Sequence, residues 1–451
     1  MVLRLKPFKF NKLRDETIFL GREWISAAIF FALVVVGYRF SSKVFLLAAA
    51  AFMVLTILRS DTPNAFCWSL FLVPNIRVFD DLGVGFLVNI ILALPIVVYF
   101  IRQGTRRIPA VAVLGSVILL LMEVIHYAAL EQMDSLPRTL GWALNVFLCI
   151  AVTVDSRVKL KAEDVFSALS TGAILSAAMY LASGQDTIMN IIDSLGNNAR
   201  FEAFANDPNY YSLYICLSIA CVLNVKGYNI YKFVAMALMT GIGFLTASKM
   251  CLLLMAFEYV VLFLQIFSRR KENRANKKFI VWSAVGMGGL LFTFRNYVFI
   301  FVDNFLKRAG VVGNQITDMD KLTSGRSGIM TEYLQILLDN VWCLLVGYGF
   351  SYHEHLGQSD KAGAHNTYLD MLLAWGVIGT AIFLCVVYLW LRAYRASRKI
   401  NRISTVKLIP TVILLINLFD LSCLSAGMFP FVLAVAFIQW LPDDKEVVQN
   451  A

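Results

Sequence analysis

Four side chains in this sequence pair a useful chemistry with an unusual setting: Arg200, Lys249, Arg326 and His365. A guanidinium presents a planar fork of donors that matches phosphate oxygens and stays charged at any physiological pH. A lysine in the tight turn Thr246-Ala247-Ser248-Lys249-Met250 adds a third positive charge. A histidine, whose ordinary pKa lies near ~6.5, takes up or passes on a proton at working pH. His365 closes the long polar stretch 303–365, which holds three of the four histidines and also carries Ser324-Gly325-Arg326. Cations of this kind near a membrane surface suit a lipid pyrophosphate, with the histidine as an acid–base group. Each has a plainer reading too. The arginines fit ordinary loop residues or headgroup contacts, Lys249 fits a side chain reaching up to the interface, and His365 fits a flanking residue bonded locally. His353 and His355 read as solvated loop residues.

The neighbours of these residues have a local logic of their own. Asp207-Pro208-Asn209 is a rigid turn followed by a helix start, with Pro208 in the first helical turn and Asp207 as its cap, so that it would fix Arg200. Asn366 reads as the cap of the helix after His365, or as a polar partner of the histidine. Residues 329–340 have helical periodicity, with Ser327 as cap and Arg326 just ahead. Gly347-Tyr348-Gly349 marks a turn after the apolar run 341–346. Glu123, Glu258, Asp370 and Asp420 are acids within apolar segments, which usually mark function or a buried pair. Glu123 and His126, three apart on a helix, fit a mutually satisfied pair.

What must position these residues is a membrane bundle. The 451 residues are 59% hydrophobic and 16% charged, with mean hydropathy +0.69, whereas soluble domains carry about 25% charged residues. Apolar runs recur near 23–38, 43–58, 63–77, 83–101, 108–129, 139–155, 164–183, 209–225, 229–246, 249–267, 279–302, 366–391, 407–420 and 423–440. This predicts an all-α, polytopic integral membrane protein with about 12–14 transmembrane helices. The first run reads as a span rather than a cleaved leader. The third contains Pro74, Asn75 and Arg77 and reads as broken or re-entrant.

The net charge of +10 does not read as nucleic-acid binding, because Lys and Arg gather in short clusters between spans. With about fourteen spans these clusters share one side, the cytoplasm, together with both termini. The loops 183–208 and 303–365 then fall together on the outer face, the second of them partly helical. Residues 1–182 form an N-terminal bundle, and 183–451 a half that carries the chemistry. The eight cysteines are scattered without CxxC or zinc-type spacing, so neither a metal site nor a disulfide framework is expected.

The ordered set Arg200…Asp207-Pro208-Asn209, Ser248-Lys249, Ser324-Gly325-Arg326, Gly347-Tyr348-Gly349 and His365-Asn366-Thr367-Tyr368…Gly376-Val377-Ile378-Gly379 resembles the O-antigen ligase and Wzy-type polysaccharide polymerase superfamily, from about 200 to 391. The resemblance implies an inverting membrane glycosyltransferase in the bacterial inner membrane. Its donor would be an undecaprenyl-pyrophosphate-linked oligosaccharide on the outer face, and it would need no metal or cofactor. Arg200 and Arg326 would bind the pyrophosphate and His365 would act as base or positioning group. Lys249 stands where the family carries arginine, so the charge is kept and the fork lost. Asp207, Asn209 and Asn366 would border the substrate. The polymerase reading, for O-antigen, capsule or exopolysaccharide, has the acceptor as a second lipid-linked repeat unit, with a chain-length regulator as a possible partner. The ligase reading has lipid A–core or another acceptor. A flippase for lipid-linked oligosaccharide is a third reading, kept alive by the intramembrane acids; it lacks the repeats and paired broken helices usual in transporters.

Overall fold

A computed structural model describes residues 23–441, apart from 84–86, 106–107, 131–135, 195–199, 225–229, 425–427 and most of 268–325 and 351–362. The described chain is helical except for a two-residue antiparallel pairing of Val311–Val312 with Gln315–Ile316. In chain order the helices are α1 (Trp24–Arg39), α2 (Lys43–Arg59), α3 (Thr62–Leu72), α4 (Arg77–Asp80), α5 (Leu87–Ala93), α6 (Pro95–Gln103), α7 (Ala110–Leu130), α8 (Leu136–Val154) and α9 (Ala162–Ala182). They continue as α10 (Ile188–Ser194), α11 (Pro208–Val222), α12 (Ile230–Leu245), α13 (Lys249–Phe267), α14 (Arg326–Asp339), α15 (Val341–Val346), α16 (Thr367–Ser397), α17 (Thr405–Asn417) and α18 (Phe429–Ile438). The expected run at 279–302 lies almost wholly outside the described residues.

Two helices, α9 and α16, are by themselves long and apolar enough to cross a bilayer, and seven further apolar segments are shorter. The outer surface is what a bilayer requires. On α13, Leu253, Val260, Phe263 and Leu264 are more than half exposed, and on α16 Ile378, Leu384 and Tyr388 are too. Continuous apolar surface on that scale is foreign to a soluble monomer. Because lipid is as apolar as leucine, association inside the membrane rests on close packing and hydrogen bonds. Gly172 of α9 shows the packing: a Cβ there would lie 2.3 Å from the Phe71 carbonyl oxygen of α3.

The segment expected to be broken is broken. The α-helix ends at Leu72, a 3-10 turn spans Val73–Asn75, and α4 follows. Carbonyls at the break accept from side chains within the protein, as a hydrocarbon setting favours. Asn75 Nδ2 donates to the carbonyls of Phe71 (2.9 Å) and Gly172 (3.2 Å), and Ser176 Oγ donates to that of Pro74 (2.8 Å). The next apolar run is also interrupted, at Leu94-Pro95, into α5 and α6.

Hydrogen bonds gather the helix termini at two ends of the bundle. At one end Tyr38 donates to Asp81, Arg39 to the Ala182 carbonyl, the Arg77 amide to the Phe204 carbonyl, the Phe201 amide to that of Leu245, and Tyr210 to that of Ser422. At the other end Arg59 reaches Ser26, Arg157 reaches the Gln103 carbonyl and Asp155, and Arg398 reaches the carbonyls of Val152, Thr153, Asp155 and Val158. The described apolar segments therefore pass alternately between the two ends. Helices from both halves interleave, with α9 against α3 and α11, α7 against α16, and α8 against α18. Beneath the first end lies an aromatic cluster of Trp142, Phe350, Trp375, Phe383 and Phe429, with ring centroids 4.9–6.2 Å apart.

A break in α16 ties the 345–349 segment to this core. Gly376 has φ +63°, so the helix is interrupted there and the carbonyls before it are open. The amides of Tyr348 and Gly349 fill them, donating to Leu373 (2.7 Å) and Ala374 (2.8 Å). Both partners must be glycine-rich: a Cβ on Gly376 would lie 2.3 Å from the Leu345 oxygen, and one on Gly347, itself at φ +84°, 2.5 Å from the Ala374 oxygen. His126 of α7 closes the corner with Nε2 bonded to the Val346 carbonyl at 2.6 Å.

Candidate active site

Arg200 is built into place by the turn that follows it. Asp207 caps α11, accepting from the amides of Asn209 (2.6 Å) and Tyr210 (3.3 Å), with Pro208 in the first turn. Asn209 is thereby fixed and buried, and its Oδ1 accepts from Arg200 Nη2 at 2.5 Å. Arg200 Nε donates to the Thr246 carbonyl at 3.1 Å, in the turn between α12 and α13. That turn contains Ala247 at φ +48°. Ser248 Oγ lies 3.5 Å from the same Asn209 oxygen and accepts from the Cys251 amide, so the serine ties the turn to both helices. Lys249, half-buried, opens α13 beside this corner.

Arg326 and His365 come from the other loop. Arg326 is the first residue of α14, so Ser327 lies inside the helix rather than capping it. The expected start was placed late because the small residues Ser327 and Gly328 carry no apolar periodicity. The Arg326 guanidinium forms an ion pair with Asp420, and both side chains are largely covered (13% and 21% exposed). Asn366 caps α16, its Oδ1 accepting from the amides of Tyr368 (3.0 Å) and Leu369 (3.1 Å). His365 just before it has φ +50°, a conformation rare for a residue with a Cβ. Three side chains hold this residue and the one before it. The His365 amide donates to Ser422 Oγ at 2.8 Å, and the Ala364 amide donates to Tyr352 Oη (3.1 Å) and Asp370 Oδ1 (3.2 Å). Tyr352 in turn donates to Asp370 at 2.6 Å. Strain that persists under such bracing is a mark of functional sites.

Ser422 links the two segments, its carbonyl accepting from Tyr210 and its Oγ from the His365 amide. The His365 pKa is lowered, first by burial and then by the positive charges of Arg326 and Arg200, with Asp207 acting in the opposite sense. An imidazole so placed is neutral at neutral pH and can accept a proton. The structure thus places Arg200, Asp207, Arg326 and His365 in one electrostatic neighbourhood. It gives the side-chain oxygens of Asp207, Asn209 and Asn366 structural work, as two helix caps and one arginine rest. Thr323, Ser324, Gly325, His353 and His355 lie outside the described residues. Among the described residues no group of three or more His, Cys, Asp or Glu is arranged to hold a metal ion.

Three participants were invisible to the motif reading. Asp420 and Ser422 lie between α17 and α18, beyond every motif. Arg77 follows the break in the third segment and pairs with Glu202 at 2.8 Å. Glu202 is pushed up by burial and drawn down by Arg77, while Asp207 raises it and Arg200 lowers it, which places Arg77 beside the same charges. The only hint in the sequence was that Asp420 is an acid at the end of an apolar run.

Residues 234–384 match the O-antigen ligase (Wzy_C) family model. The match takes in Ser248-Lys249, Arg326, both glycine motifs and His365, and supports membership of this region in the O-antigen ligase/Wzy superfamily. Arg200, Asp420 and Ser422 fall outside it. No match was found among curated proteins or among solved structures.

Proposed function

We propose that the protein is a Wzy-type polysaccharide polymerase, an inverting glycosyltransferase that joins undecaprenyl-pyrophosphate-linked repeat units on the outer face of the bacterial inner membrane. The observation that carries this reading is the 420–422 segment, where Ser422 joins Tyr210, in the first turn of α11 beside the Arg200 anchor Asn209, to His365, while Asp420 pairs with Arg326. The family match over 234–384 supports the reaction class. The alternation of helix termini between two ends supports an outward-facing site, since the lysine- and arginine-rich connections expected in the cytoplasm flank the opposite end.

The chemistry is a single in-line displacement. The acceptor hydroxyl gives its proton to His365 as its oxygen attacks the anomeric carbon of the donor. The bond from that carbon to the pyrophosphate oxygen breaks, and undecaprenyl pyrophosphate departs carrying the electron pair. Fixed guanidinium groups stabilise the charge that builds on it, and preorganised charges of this kind supply the largest share of many rate enhancements. One displacement inverts the stereochemistry and needs no carboxylate pair at retaining-glycosidase spacing. Arg200 suits the task because Asn209 and Thr246 already hold it, so little side-chain freedom is lost on binding.

A second reading, ligase, is favoured by the description of the matched family. It uses the same donor and the same arginines, with lipid A–core or another glycan acceptor. The two separate in an assay of purified protein given only undecaprenyl-pyrophosphate repeat units. A ladder of longer lipid-linked chains with release of undecaprenyl pyrophosphate is the polymerase result. Turnover that appears only when a second acceptor is added assigns the ligase. Movement of substrate between leaflets without new glycosidic bonds removes both.

A further inference from the structure

Asp420 is a carboxylate placed against one of the two arginines proposed to hold the pyrophosphate. We infer that Asp420 is the resting counterion of Arg326 and competes with the pyrophosphate for it, so that it speeds release of undecaprenyl pyrophosphate after transfer. This rests on the reading of Arg326 as a pyrophosphate ligand. The carboxylate is not free to follow the guanidinium, because residues 418–423 are pinned on several sides. The Thr367 amide donates to the Leu418 carbonyl (2.8 Å), Thr367 Oγ1 donates to that of Leu421 (2.5 Å), and the Cys423 amide donates to Thr367 Oγ1 (3.1 Å). Tyr210 of α11 donates to the Ser422 carbonyl (2.8 Å), and Ser422 Oγ holds the His365 amide (2.8 Å). Asp420 itself is held by its amide, which donates to the Asn417 carbonyl at 2.9 Å.

A fixed carboxylate beside a largely covered arginine has two effects. Between turnovers it balances the charge of a largely covered guanidinium, which is costly to hold away from water. When a pyrophosphate arrives, the guanidinium must turn part of its fork toward the phosphate while a negative charge stays close by. Binding is weakened by that repulsion, and departure is favoured because the ion pair re-forms. A donor with a long polyprenyl chain is already concentrated by the membrane, so weaker phosphate binding is tolerable where slow release would limit turnover.

The test uses full-length protein in lipid nanodiscs with undecaprenyl pyrophosphate as ligand. Asp420→Asn should bind it roughly tenfold more tightly than the parent. Its kcat and KM should fall together while the first turnover keeps the parent rate. Asp420→Glu, which retains the charge, should restore parent-like affinity. Added undecaprenyl pyrophosphate should raise the unfolding temperature of Asp420→Asn more than that of the parent. Equal or weaker binding by Asp420→Asn, with Arg326→Ala still losing affinity, overturns the inference and leaves the arginine's role standing. If Arg326→Ala binds as the parent does, the reading beneath it fails instead. Asp420→Ser serves as a second neutral variant. If neither neutral variant can be purified folded, the pair is a structural requirement and the inference is overturned.

Discussion

At the scale of single residues, the account gives three groups distinct duties, and each duty has its own signature. Removing either arginine removes a fixed positive charge from the departing pyrophosphate. Arg326→Ala and Arg200→Ala should each lower kcat/KM by on the order of 10²–10³ without loss of membrane insertion. Arg326→Lys should remain well below the parent, because an ammonium cannot grip two oxygens at once. His365 acts only when unprotonated, so activity should fall on the acid side, with a midpoint below the ordinary histidine range because burial and the two arginines depress its pKa. In whatever activity Arg200→Ala or Arg326→Ala retains, that midpoint should move to higher pH, since the lost cation was one of the depressing charges. A pH–rate profile of kcat/KM for the three proteins checks this; coincident acid limbs would remove His365 as the base. These residues were legible because arginine and histidine are conspicuous on loops between apolar spans. Asp420 and Ser422 were not, because a single acid or serine at a span end reads the same whether or not the fold brings it against an arginine or a strained histidine.

At the scale of elements, what the sequence revealed best were the starts of helices. Asp207 and Asn366 cap where their side-chain chemistry said they would, and the third segment breaks at its Pro74. The break at Gly376 was hidden, since a glycine within an apolar run looks like any glycine in a membrane helix. Its reason lies in a distant segment: Tyr348 and Gly349 use the carbonyls that the break opens. Gly376→Ala should therefore be severely destabilising. It incurs about 1–2 kcal/mol for the left-handed conformation, and the Leu345 carbonyl leaves no space for a methyl group. Thermal unfolding in detergent would show the loss; a variant as stable as the parent would mean that the 347–349 segment does not dock on α16. Asp207→Ala should cost only about 1 kcal/mol as a lost cap, yet lower activity more than that implies, because Asn209 and through it Arg200 would lose their setting.

At the scale of the whole molecule, the claim is that a bundle whose helices alternate between two ends carries its chemistry at one of them, outside the membrane. Parity of the spans put the two motif-bearing loops on one face, and Ser422 ties their ends together, its carbonyl accepting from Tyr210 and its Oγ from the His365 amide. Which N-terminal element joins them was not readable, since Arg77 counted only against the span that holds it. In a cysteine-free background, Gln185→Cys in intact cells should react with an impermeant maleimide, whereas Asn401→Cys should react only after the membrane is opened; the reverse pattern would invert the topology. The central claim is that two loops build one pyrophosphate site. A structure of the full-length protein with undecaprenyl pyrophosphate bound tests it most directly. The account predicts both Arg200 and Arg326 in contact with the phosphates and His365 facing the terminal phosphate, where the sugar is joined. Phosphates held away from these two arginines, or by one loop alone, would contradict it.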